Sequence, residues 1–161
     1  MDRFCGRAVF PVEGVEVYVS EPDEGEPGGV LLNLELRCGP ATSEEAPEDE
    51  RIGWTRPGVE VWIPVPAVTA DALAELTVHV PWPYLDARDA RHRLYVFEHE
   101  DLWDLEVRFG GVVAGMCQVV IVATAQDPNH YDGSKPPSTV TVAAWFALPG
   151  AGQAEPVPQP G

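Results

Sequence analysis

Lysine is almost missing from this chain. Lys135 is the only one, and nine arginines supply the other cations among 161 residues. Against those 10 cations stand 26 acids, a formal net charge of −16. So negative a surface repels phosphate backbones, which argues against nucleic-acid binding through a basic face. It argues against anionic membrane for the same reason. Asn and Ile are also scarce, while Ala, Gly, Pro, Val and Arg are abundant. That usage points to a GC-rich bacterial or phage coding sequence.

Cysteine is scarce too. Cys5, Cys38 and Cys117 are odd in number, and no pair has C-x-x-C spacing. Residues 1–10 carry arginines but no apolar h-region, so no secretion signal is legible. The longest apolar run, 112–125, is interrupted by Gly115 and Gln118 and is too short to span a bilayer. The expectation is a soluble cytoplasmic protein with reduced thiols.

The signatures of catalysis are thin. Neither G-x-x-x-x-G-K-[ST] nor G-x-G-x-x-G occurs, which argues against a nucleotide site. The serines, at 20, 43, 134 and 138, lie in no G-x-S-x-G. His79, His92, His99 and His130 show neither H-x-H nor H-E-x-x-H spacing. Glu98, His99, Glu100 and Asp101 are the densest potential ligands, but strand alternation would send 99 away from 98 and 100. Residues 127–133 superficially resemble a calcium loop. The second Asp falls at position 6, Gly at 7 and Ser138 at 12, so the oxygen pattern fails. Asp127, Asn129 and Asp132 then read as local Asx turns in a hairpin loop. No cofactor, metal site or catalytic residue is assigned.

What is present is alternation. Val15, Val17 and Val19 recur every second residue, as do Leu32, Leu34 and Leu36, and Val59, Val61, Ile63 and Val65. That is the period of half-buried strands. The first two runs are expected to pair, with strand 7–11 and a turn at Glu13–Gly14 before them. Pro64 and Pro66 place the end of the third run at an edge or outside the ladder. Thr69 caps a short helix over 70–76, followed by strands at 77–80 and 94–97. Residues 98–104 read as a turn, 105–109 as a strand, and Gly110–Gly111 as a bend or bulge. The apolar runs 112–125 and 139–148 form the central hairpin, too apolar to sit at a wet edge.

Roughly nine strand candidates with one helix make the expected fold class all-β, mainly antiparallel, a β-sandwich or partly closed barrel. One domain over 1–149 is expected. It would carry an acidic mobile loop at 39–57 and a Pro/Gly-rich disordered tail at 150–161.

Function is reached through charge and aromatics. Glu44, Glu45, Glu48, Asp49 and Glu50 concentrate acid in one loop, and Trp62, Trp82 and Trp103 are candidates for exposed aromatic contacts. These define the expected interface of a non-catalytic protein that binds a basic protein partner. An immunity or antitoxin-type inhibitor fits that description, because charge complementarity speeds encounter. A second reading is a self-assembling structural component that binds copies of itself. A third is a calcium- or glycan-binding lectin-like module using Trp62, Trp82, Tyr131, Asp127, Asn129 and Asp132.

Overall fold

The computed structural model describes residues 9–21, 29–42, 55–80, 92–96, 98–127, 133–134 and 136–150. Its strands are β1 (Val12–Ser20), β2 (Val30–Cys38), β3 (Gly58–Val65), β4 (Thr77–Val80), β5 (Arg93–Tyr95), β6 (His99–Val113), β7 (Met116–Ala125) and β8 (Ser138–Ala147). One helix, α1 (Ala70–Leu73), precedes β4. Every ladder is antiparallel. The hydrogen-bonded order is β1-β2-β3-β5-β6-β7-β8, with β4 also on β6. This is one sheet curled into a half-barrel, in which β1 and β8 approach each other without a ladder between them. The all-β expectation holds. β6 belongs to both halves, so the strands form one continuous sheet, which accords with the partly closed alternative.

Period-two patterning explains the inside. Leu32, Leu34 and Leu36 lie opposite Ile63, Val61 and Val59, and all six are buried. Val15 and Val17 extend two of these rows onto β1. On the other half, Cys117, Val119, Ile121, Ala123 and Ala125 of β7 face Phe146, Ala144 and Val142 of β8 in the same core. Phe109 and Phe146 meet edge to face at 6.3 Å. Each fully buried aliphatic side chain contributes about 1.5–3 kcal/mol by leaving water.

β6 keeps its buried face only by breaking its own alternation. Leu102 and Leu105 are both buried although three positions apart. From Trp103 to Glu106 β6 advances three positions while β7 advances two, from Thr124 to Val122, and Asp104 takes φ 53° to absorb the extra residue. A second bulge, between Phe109 and Val112, uses Gly110 and Gly111 as the glycines suggested. Gly110 also lies under the Gln118 side chain, whose Oε1 would sit 2.8 Å from an added Cβ.

Several expectations are corrected. Residues 99–104 are strand, not turn: Arg93, Leu94 and Tyr95 pair with Asp101, Glu100 and His99. The Arg93–Asp101 pairing sets opposite charges across the ladder, which favours strand for a polar stretch. Glu13–Gly14 is a bulge inside β1. The helix stops at Leu73 instead of 76, because Ala74 leaves helical ψ and Glu75 takes φ 56°. Leu76 is then free to accept a hydrogen bond from Phe109 N at 2.8 Å. Thr69 does cap the helix, accepting from Ala72 N. The run 112–125 is not one strand: Ala114 and Gly115 turn it, and Val113 pairs with Met116. Nor is the last strand interior. β8 ends the sheet order, with Val142, Ala144 and Phe146 buried and Thr141, Ala143, Trp145 and Ala147 exposed. Residues 43–54 of the acidic loop and 151–161 of the tail lie outside the described residues.

The Ala114–Gly115 turn carries a testable strain. Both residues have positive φ, 49° and 77°, as a two-residue type I′ hairpin requires. Alanine is poorly suited to that region, whereas asparagine tolerates it. Ala114→Asn should stabilise the fold by about 0.5–1 kcal/mol. Urea denaturation reads this as a higher midpoint at unchanged m-value.

Candidate functional site

Cross-strand register gathers residues that are far apart in sequence. Glu16 lies opposite Glu35, and Glu35 opposite Glu60. The row continues through Arg93 on β5 to Asp101 on β6. One step along the strands, Tyr18, Asn33 and Trp62 form a parallel row. One step the other way, Arg37, Gly58, Tyr95 and His99 form a third. By strand alternation they sit on the outer face, but Asn33 is 1% exposed there and donates to the Val61 carbonyl at 3.2 Å. An acidic stripe is thus flanked by aromatic rings. Tyr18 is 51% exposed and Tyr95 45%. Tyr95 stands over Gly58, and its ring lies 4.9 Å from that of His99.

Adjacent like charges across a ladder cost stability. Neighbours offset part of that cost at the two outer glutamates. Glu16 accepts from the Tyr18 hydroxyl at 2.7 Å and pairs with Arg37. That hydrogen bond, with the Glu16 charge, raises the Tyr18 hydroxyl above its ordinary pKa. Glu60 accepts from Trp62 Nε1 at 3.0 Å. Glu35, in the middle, has no ion-pair or hydrogen-bond partner among the described residues. Glu35 is thus the central carboxylate between two engaged ones.

His92 positions this site from behind. β5 pairs with β3 only over Gly58–Glu60, so the Trp62 N–H lies beyond the ladder. Trp62 N instead donates to His92 Nδ1 at 3.1 Å, while the His92 carbonyl accepts from Leu102 N at 2.9 Å. The imidazole therefore stands in for a strand carbonyl. It joins β3, the strand of Trp62, to the start of β6. His92 is 4% exposed, and burial lowers its pKa to about 4. An accepting Nδ1 places the proton of the neutral ring on Nε2.

Three of the residues singled out from sequence lie among the described residues. Trp62 belongs to the stripe. Trp103 lies half-buried on the outer face of β6 opposite Thr124, at the first bulge. Asp127 is 8% exposed just past β7. Trp82, Glu44, Glu45, Glu48, Asp49, Glu50, Asn129 and Asp132 lie outside the described residues. Among the described residues no group of three His, Cys, Asp or Glu is placed to hold a metal ion, and no helix is long and apolar enough to cross a membrane. Glu16, Tyr18, Glu35, Glu60, Tyr95 and His92 were not singled out. Alternation marked the strand residues as outward, but only register brings them together.

No protein-family model, curated protein or solved structure matches the chain.

The His92 arrangement predicts a pH dependence. In the unfolded chain this histidine takes a proton near pH 6.5; in the folded protein it resists until about 4. Between those values the unfolded state binds more protons, so stability falls as pH drops. The full loss is on the order of 3 kcal/mol, complete below about pH 4. Glu100 works against this trend: burial and the nearby Asp101 and Glu98 raise its pKa, so its protonation favours the fold as pH falls. Urea midpoints between pH 7 and 4.5 should decline in the wild type and flatten in His92→Gln. An unchanged slope in the variant would show that the loss arises elsewhere.

Proposed function

We propose that this protein is a non-catalytic binding protein whose outer β1-β2-β3-β5 face engages a basic protein partner. The observation that carries this reading is the registered glutamate row 16, 35 and 60, flanked by Tyr18 and Trp62. Aromatic rings beside carboxylates suit Arg and Lys side chains, which bond to the carboxylate and stack on the ring. The chain's overall charge of −16 would steer such a partner from a distance. An inhibitor of immunity or antitoxin type, covering a cationic active site, is the particular form this suggests. The acids at 44, 45, 48, 49 and 50 would add to the same attraction.

Affinity capture from the source cell, followed by titration of the captured protein, tests the reading. The partner should be basic. Raising salt from 50 to 300 mM should weaken binding through slower association. Glu35→Lys should weaken it at least ~10-fold, since like-charge juxtaposition at an interface costs several kcal/mol. Tyr18→Ala should weaken it by a smaller factor. An acidic partner, or binding indifferent to both substitutions, would be evidence against this face.

A further inference from the structure

The sheet ends on two strands, β1 and β8, that come together without a ladder. The direction of the hydrogen bonds fixes which β1 backbone groups remain. Cys38 N donates to Pro57 O at 2.9 Å, so the Cys38 backbone turns towards β3. Backbone direction alternates along a strand, and Leu36, Leu34 and Leu32 turn the same way. Arg37, Glu35, Asn33 and Leu31 therefore turn towards β1, onto Gly14, Glu16, Tyr18 and Ser20. The N–H and C=O groups of Val15, Val17 and Val19 are left pointing out of the sheet edge. Among the described residues no backbone hydrogen bond reaches them. A bulge can blunt an edge, but the one in β1 lies between Val12 and Gly14, and neither bulge nor proline interrupts 15–20. Exposure rises along this segment: Val15 and Val17 are half-buried, Tyr18 is 51% exposed and Val19 44%.

Resting on the basic-partner reading above, we propose that the β1 edge takes an extended segment of that partner as an added antiparallel strand, with Arg or Lys at alternate positions and apolar residues between them. Three properties of the edge set this chemistry. Its unpaired N–H and C=O groups recur every second residue, roughly 6.8 Å apart, which matches the main chain of another strand. Val17 and Val19 point to the core side, so apolar side chains opposite them extend the valine rows and cover Val19. Glu16 and Tyr18 point to the outer side, and cross-strand neighbours stand roughly 5 Å apart. A cation opposite each meets a carboxylate or a ring face. β1 itself carries two glutamates and no cation, so a second copy paired here would set like charges together. β8 also has a free edge, but its outward residues Thr139, Thr141, Ala143, Trp145 and Ala147 hold no charge to select a partner.

Short synthetic peptides alternating Lys and Val are the probe, titrated into the isotope-labelled full chain. Calorimetry reads affinity, and NMR reads amide hydrogen exchange. The Lys/Val peptide should bind and slow exchange at Val15, Val17 and Val19, whereas a Glu/Val peptide should not bind. N-methylation of alternate peptide residues, in the frame whose N–H groups face β1, should weaken binding at least ~10-fold without changing charge. Val19→Pro removes one outward N–H and no bond of the β1–β2 ladder, and should weaken binding as well; circular dichroism establishes that the fold is retained. Binding that salt and Glu35→Lys weaken, but N-methylation and Val19→Pro do not, overturns the added strand and leaves the acidic-face reading in place. Equal binding of the Glu/Val peptide overturns that reading and the basic segment with it. No binding of the Lys/Val peptide overturns the proposal. So does protection of the three valine amides in the free chain that grows with protein concentration, since the occupant is then a second copy.

Discussion

A single strand has to satisfy three neighbours at once, and the rest of the sheet depends on how it does so. β6 carries β5 and then β4 along one edge and β7 along the other. Strict alternation over its 15 residues would send either Leu102 or Leu105 to the outside. The bulge at Asp104 resets the parity, and Leu102, Leu105, Val107 and Phe109 all reach the core. Bulges also bend a strand and increase its twist, which is how one sheet can curl towards closure. The half-barrel is therefore a consequence of hydrophobic burial along β6.

The curl divides the surface electrostatically. Outward positions of β1, β2 and β3 present carboxylates at ladder spacing, whereas those of β7 and β8 present none. Three adjacent glutamates are locally unfavourable, and the fold tolerates them with help from Arg37, Tyr18 and Trp62. Such a departure from local consistency is where functional sites are found in proteins generally. The neutral face is a departure of another kind, because solubility alone would favour charge on an exposed edge strand.

His92 connects architecture to chemistry. Its imidazole replaces a missing ladder partner at Trp62, and its carbonyl holds Leu102 at the start of the bulged segment. Among four histidines with no motif spacing, sequence offered no ground for choosing it. Placement beside a strand that outruns its neighbour is what gives this residue its role.

Much of the fold could be read directly. Val15–Val17, Leu32–Leu34–Leu36 and the β3 valines announce their strands and inward face, although Val19 ends 44% exposed, because side-chain direction alternates with chain position alone. Thr69 and Gly110–Gly111 were legible because capping and bulging are local events. The polar segment 99–104 was misread because its strand character comes from cross-strand partners, and the turn inside 112–125 because Ala114 is not a residue that favours positive φ. Sequence by itself determined strand content, the inward face and the net charge. Only tertiary structure decided which glutamates stand side by side, where one sheet curls on itself, and which histidine links β3 to β6. Those properties belong to register between distant segments, and register is set by the collective burial of a whole face rather than by any local pattern.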